Sequence, residues 1–186
     1  MILKANNNFY YSPTQTNFTD FFCIKFCIKK FFCRGDARAK GHGFGTRLVD
    51  LGVPPYLIGA TVIGVLAQRL VRTLCRDCRQ PVPMRAEWAD EFRAAGLPVG
   101  PETLVYGAKG CPSCNSTGFK GRCVISEILV PNEEIRKLTL QRSAASQIHA
   151  AALAGGMESL RRNGLRKVIE GATTIEEISR VVQEEV

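Results

Sequence analysis

Two Cys-x-x-Cys pairs, Cys75-Arg76-Asp77-Cys78 and Cys111-Pro112-Ser113-Cys114, stand 32 residues apart in a chain of 186. Four thiols in this pattern restrict the fold more than any apolar stretch does, because they must converge on one point. A CxxC turn brings two sulfurs to one ion while its backbone amides hydrogen-bond them, and two such turns complete the tetrahedral shell that zinc prefers. With cysteine in all four positions no site stays open for water, so such an ion serves structure and not catalysis. A disulfide framework needs an oxidising compartment, and no signal peptide suggests one. A redox dithiol comes as a single pair on a thioredoxin-like pattern, which is missing here. Zinc is the expected metal, with Cys75, Cys78, Cys111 and Cys114 as its ligands; an iron–sulfur cluster is the alternative that spacing leaves open.

The other four cysteines carry no comparable pattern. Cys123 falls in a β-branched run and reads as a buried, inert thiol. Cys23, Cys27 and Cys33 lie in an N-terminal stretch of different composition. For His42, among glycines, and His149, in a helical stretch, the sequence offers no convincing acid, base or ligand partner, and both read as solvated or packing residues. The 186 residues contain no GxxxxGK[S/T] loop to cradle phosphates, no apolar strand ending in Asp-Glu to hold magnesium, and no Ser/His/Asp or Cys/His arrangement. No active site is expected in this chain.

The formal charge of +8 raises nucleic acid or an acidic membrane surface as partners. The arginines, however, run from Arg34 to Arg180 interleaved with carboxylates, which reads as dispersed, solvated charge. The longest apolar stretch, Tyr56 to Ala67, is broken by glycines and falls short of the roughly 20 residues of a membrane span. A soluble, cytoplasmic protein is expected. Met1 to Cys33 hold no arginine and seven of the ten phenylalanines, whereas all sixteen arginines follow. Lysines inside FFCIKFCIKKFFC rule out a signal peptide. This stretch favours residues with AT-rich codons and the remainder those with GC-rich codons, so residues 1–45 are expected to be an unrelated, disordered leader from rearranged or non-coding DNA.

Beyond Gly45 the pattern is orderly. Pro54 and Pro55 open a helix expected over about 55 to 66, and Ala67 to Leu74 either continues it or forms a strand, a choice that periodicity does not settle. Glu87 to Ala95 reads as a short helix stopped by Gly96 and Pro98. Arg122 to Val130 reads as a strand. The last third is helical: Asn132 caps Glu133 to Leu140, and Gly155 and Gly156 break the pattern. Met157 to Glu170 follows, with Leu160, Gly164, Leu165, Val168 and Ile169 on one face, and Thr174 with Glu177 forms a capping box for a final helix from Ile175 to about Gln183.

The run TRLVDLGVPPYLIGATVIGVLAQRLVRTLC, the second pair within CPSCNSTGFKGR, the strand ISEIL and the stretch MESLRRNGLRKVIEGATTIEEISRVV occur in an order that resembles the C-terminal portion of the secretion ATPases of type II secretion and type IV pilus assembly. The resemblance runs from about Thr46 to Val186. It implies an α+β fold: a C-terminal fragment of a RecA-like ATPase, with a tetracysteine zinc lobe and a C-terminal helical bundle. It places Cys75, Cys78, Cys111 and Cys114 on the family's zinc ligands, and makes Ala67 to Leu74 and Arg122 to Leu129 neighbouring strands at the edge of the ATPase sheet, which favours the strand reading. The implied division is residues 46–74 as the edge of the ATPase core, 75–121 as the zinc lobe, and 122–186 as the returning strand and helices. Gly121-Arg122-Cys123-Val124 departs from the family's usual Gly-Arg-Thr-Gly, and the Walker motifs, the histidine- and aspartate-rich boxes and the N-terminal domain have no counterpart.

Such ATPases form hexamers at the cytoplasmic face of the inner membrane and use ATP and magnesium to drive assembly of a pilus or pseudopilus. This chain is expected to be a truncated member that does not hydrolyse ATP by itself and exposes apolar faces, with marginal stability. A second reading is a zinc-stabilised interaction module that binds full-length ATPase subunits or an inner-membrane platform protein. A third, a zinc-ribbon nucleic-acid binder, finds no aromatic and basic interleaving in the cysteine loops, and nucleic acid is not an expected partner.

Overall fold

The computed structural model describes residues 23–28, 31–35, 44–100 and 102–182. Its elements are mixed α and β. Strands β1 (Cys23–Ile28) and β2 (Phe31–Gly35) precede helices α1 (Phe44–Asp50) and α2 (Pro55–Thr61). The long strand β3 (Val62–Leu74) leads into β4 (Arg79–Pro83), α3 (Ala86–Ala94) and β5 (Leu104–Ala108). A second long strand, β6 (Phe119–Leu129), returns, and helices α4 (Glu133–Leu140), α5 (Ala145–Ala154), α6 (Leu160–Ile169) and α7 (Ile175–Val181) follow.

The larger sheet has the order β2-β1-β3-β6, antiparallel throughout. The expected neighbours are indeed neighbours: Ala67 lies opposite Glu127 and Val71 opposite Cys123. β6 is an end strand, whereas β3 has β1 on its other side. Residues 1–45, expected to be a disordered leader, hold β1, β2 and the start of α1, and the others of that stretch lie outside the described residues.

Alternation decides which side of the sheet is covered. Val65, Ala67 and Val71 of β3 and Ile125, Glu127 and Leu129 of β6 are buried, and the core continues through Leu160, Leu165 and Val168 of α6 and Ile175 and Ile178 of α7. On the opposite face Leu66 pairs with Ile128 and Leu70 with Val124, and Val124 and Ile128 are 46% and 57% exposed. This is the exposed apolar surface that the sequence leads one to expect.

The helix expected over 55 to 66 ends at Thr61. From Val62 the β-branched residues Val62 and Val65 pair with β1, across a register shift that leaves out Ile63, so tertiary pairing overrides an apolar spacing that also fits a helix. The caps hold as read. Asn132 Oδ1 accepts from the Ile135 amide at 2.8 Å and Thr174 Oγ1 from the Glu177 amide at 3.3 Å. The helix expected from Met157 begins at Leu160, capped by Ser159, with Ile169 half-buried and the other four face residues buried. The Glu177 carboxylate does not serve the capping box; two arginines take it, with Arg72 Nη2 at 2.7 Å and Arg180 Nη2 at 2.8 Å.

Candidate metal centre

Both cysteine pairs sit where two strand pairings meet. Cys75 follows the last residue of β3 and Cys78 precedes the first of β4, while Cys111 and Cys114 lie between β5 and β6. Pairing of Leu74 with Phe119 and of Arg79 with Ala108 brings the two loops together. The Cys75 amide then donates to Gly118 O at 2.9 Å, tying one loop directly to the other. Each loop is itself a tight turn: Cys75 O accepts from the Cys78 and Arg79 amides, and Cys111 O from those of Cys114 and Ser116.

The four sulfurs lie within 4.8 Å of one another. Cys75 Sγ is 3.9 Å from Cys111 Sγ, Cys78 Sγ 3.8 Å from Cys114 Sγ, and Cys111 Sγ 3.7 Å from Cys114 Sγ. A tetrahedron with zinc–sulfur bonds of about 2.3 Å has edges of about 3.8 Å, so the spacing suits a four-thiolate zinc ion. Three of the cysteines are buried and Cys111 is half-buried, and together they form a cluster separate from the main core. The two loops therefore have no apolar centre of their own except the sulfurs.

Backbone donors prepare the site for negative charge. The amides of Cys111 and Gly118 each donate to Cys114 Sγ at 3.2 Å. Burial tends to raise the Cys114 thiol, but these two donors and the neighbouring sulfurs outweigh it, and its pKa falls well below the ordinary value. Burial raises the Cys78 thiol, aided by contacts with Cys111, Cys114 and Cys75 and opposed by the Gly110 amide. Gly118 owes its place to its backbone: at φ +74° a Cβ would stand 2.5 Å from the Ala108 Cβ, and no other residue brings its amide to the sulfur there.

The sequence thus named all four members of the cluster. It also led one to expect amides of the CxxC turns at the sulfurs, as that of Cys111 is, but it missed the Gly118 amide, which the glycine at position 118 signals. Cys123 is half-buried on β6 beside the main core, not fully buried as expected, and Val124 continues the strand, so the departure at these two positions leaves β6 unbroken. His149 is half-buried on α5, and His42 lies outside the described residues, as do the side chains of Cys23, Cys27 and Cys33. Among the described residues no helix is long and apolar enough to cross a membrane.

Comparison with known proteins finds the family model "Type II/IV secretion system protein" matching residues 40–180. Type II secretion system protein E of Pectobacterium carotovorum subsp. carotovorum is 43% identical over 140 residues, covering 75% of this chain and 27% of that protein. Type II secretion system ATPase E of Vibrio cholerae serotype O1 is 39% identical over 142 residues, 76% of this chain and 27% of its own length. Type IV pilus assembly ATPase PilB of Thermus thermophilus is 41% identical over 138 residues, 72% of this chain and 15% of its own. The chain spans about a quarter or less of the length of these curated relatives, in their C-terminal portion. With its ordered cysteine pairs, its antiparallel β3–β6 pair and a match over three quarters of its residues, the chain belongs to the type II/IV secretion system protein family.

Proposed function

We propose that these residues form the zinc-bearing C-terminal part of a RecA-like secretion ATPase, and that they act by docking to other parts of the machine without hydrolysing ATP by themselves. Cys75, Cys78, Cys111 and Cys114 would hold the ion, which closes the lobe of residues 75–121. Residues 46–74 would be the edge of the ATPase core, and 122–186 the returning strand and helices. The mutual reach of the four sulfurs carries this reading. The absence of a phosphate-cradling loop from these 186 residues supports the lack of turnover.

Docking is favoured by the sheet face that bears Leu66, Val124 and Ile128, since apolar strand residues on an uncovered face invite a partner. The partner chemistry that fits is the remainder of an ATPase subunit, in the hexamer that such enzymes form, or a platform protein at the cytoplasmic face of the inner membrane. Zinc content, ATP turnover and binding to a full-length type II secretion protein E, each measured on the purified chain, test the proposal. About one zinc per chain, no turnover and saturable binding are expected. Turnover that a substitution in this chain removes would refute the lack of hydrolysis, absence of binding would refute the docking role, and a metal-free chain would refute the zinc lobe.

A further inference from the structure

The residues flanking the first cysteine pair grip the turn between α6 and α7. Leu74, immediately before Cys75, donates its amide to Ala172 O at 2.8 Å. Arg79, immediately after Cys78, donates from Nη1 to Gly171 O at 2.7 Å, and its guanidinium lies 4.5 Å from the centre of the Tyr106 ring. The Arg72 carbonyl accepts from Thr173 Oγ1 at 2.8 Å, while the Arg72 amide and guanidinium hold the Glu177 carboxylate. Gly171, Ala172 and Thr173 are thus each tied to a residue within three positions of Cys75 or Cys78. The turn is also pressed against the lobe, for Gly171 has φ +68° and a Cβ there would stand 2.7 Å from the Tyr106 ring and 3.0 Å from Arg79 Nη1.

The Leu74 and Arg72 contacts come from β3, but the conformation of the cysteine loop governs those of Arg79. Arg79 leaves that loop with its amide bonded to Cys75 O at 2.9 Å, so the direction of its side chain follows from closure of the turn. The loops have no apolar centre besides the sulfurs, so with the thiols unligated only backbone hydrogen bonds, such as those from the Cys78 and Arg79 amides to Cys75 O, hold the turn shut. On the far side α7 forms one wall of a cleft of about 760 Å³, with Arg180 and Glu176 facing Trp88, Tyr106 and Phe119. The position of α7 sets the width of that cleft.

We propose that metal binding by the four cysteines is a latch for α7: closure of the Cys75–Cys78 turn aims Arg79 at Gly171, which seats the α6–α7 turn and fixes α7 against β3. Arg79 is a positioning residue in this device. The proposal rests on the zinc reading, but it asserts in addition that the state of the metal is felt in helices that hold no ligand.

Hydrogen exchange on the whole chain, with zinc stoichiometry followed by native mass spectrometry, tests it. Removal of zinc by a chelator should speed exchange across 171–182 on the order of ten- to a hundredfold, since loss of the charged Arg79–Gly171 hydrogen bond is worth about that, and should leave α4 unchanged. Arg79→Ala should still hold one zinc yet exchange rapidly at 171–182 in the loaded state, with Arg79→Lys restoring part of the protection. Zinc that leaves without altering 171–182 overturns the latch while the zinc reading stands. A chain that binds no zinc overturns both. Should chelation unfold α4 as well, the loaded Arg79→Ala variant decides: faster exchange at 171–182 supports the latch, and wild-type exchange there refutes it.

Discussion

Replacing Cys114 by serine removes the sulfur with the most contacts in the cluster. Cys114 Sγ lies 3.8 Å from Cys78 Sγ and 3.7 Å from Cys111 Sγ and accepts two amide hydrogen bonds at 3.2 Å. A structural zinc ion bound by four ligands is worth about 10–16 kcal/mol, so an equal share for one ligand is about 3–4 kcal/mol. Since about 1.4 kcal/mol is a factor of ten, affinity should fall on the order of 10²–10³-fold. At a fixed free-zinc level the same loss appears as stability. Phe92, Leu97 and Val105, which lie between the cysteine pairs, belong to the main core, so the lobe does not melt alone. For a chain of this size the loss corresponds to a fall in Tm of roughly 6–16 °C. Competition against a chromophoric chelator measures the first quantity and a thermal melt at buffered zinc the second. Cys123→Ser serves as the control: it lies on β6 outside the cluster and should keep the metal. Wild-type affinity and Tm in Cys114→Ser, or equal metal loss in Cys123→Ser, would refute the assignment of the ligands.

Glu177→Gln should cost about 1–3 kcal/mol in urea unfolding; the carboxylate is buried, but Arg72 and Arg180 are 47% and 58% exposed and regain water once released. Burial alone would raise the Glu177 pKa, yet hydrogen bonds from Arg180 and Arg72 lower it to about 2. A depressed carboxylate contributes its stability above the unfolded value of about 4.3. Wild-type protein should therefore lose stability as the pH falls from there towards 2, with a shallower slope in Glu177→Gln; identical slopes would show that the carboxylate is not held as described. Gly118→Ala strains a residue at φ +74° and drives a Cβ against Ala108, displacing the amide that faces Cys114 Sγ, so zinc affinity should drop about 10–100-fold while α4 to α7 stay folded. Undiminished affinity would mean that this amide does not tune the site.

The cysteine cluster was legible because its signal is local: residue type and spacing are enough to name Cys75, Cys78, Cys111 and Cys114, and the chain has few other ways to place two such turns. The caps at Asn132 and Thr174 were legible for a related reason, since each acts on an amide three residues away, whereas Ser159 was missed because the helix was expected to begin at Met157. What depends on distant partners was not. Val62 to Leu66 reads as the end of a helix until β6 and β1 are placed beside it. β4 holds Pro81 and Pro83 and gives almost no local strand signal, yet it pairs with β5 because a two-stranded ribbon leaves its outer edge free for residues without an amide hydrogen. Glu177 looked like half of a capping box, but the guanidinium groups of Arg72, 105 positions earlier, and of Arg180 bind it instead.

The composition of β3 and β6 carries one further argument. A strand with one wet face alternates apolar and polar residues, whereas a strand covered on both faces reads as a near-continuous apolar run. Val65, Leu66 and Ala67 are consecutive and apolar, as are Val124 and Ile125, and Ile128 and Leu129, and within each run neighbouring side chains point to opposite faces. One set fills the core under α6 and α7, and the other meets solvent at Val124 and Ile128, with Leu66 half-buried beside them. Selection for solvent exposure alone would have put polar residues at those positions, as it has at Gln68 and Ser126 on the same face. The strands are therefore written for two covered faces, and the described residues supply one cover. The second is the surface on which the proposed docking rests. Leu66→Lys with Ile128→Lys should abolish binding to a full-length ATPase without lowering zinc content; binding that survives both charges would place the partner elsewhere.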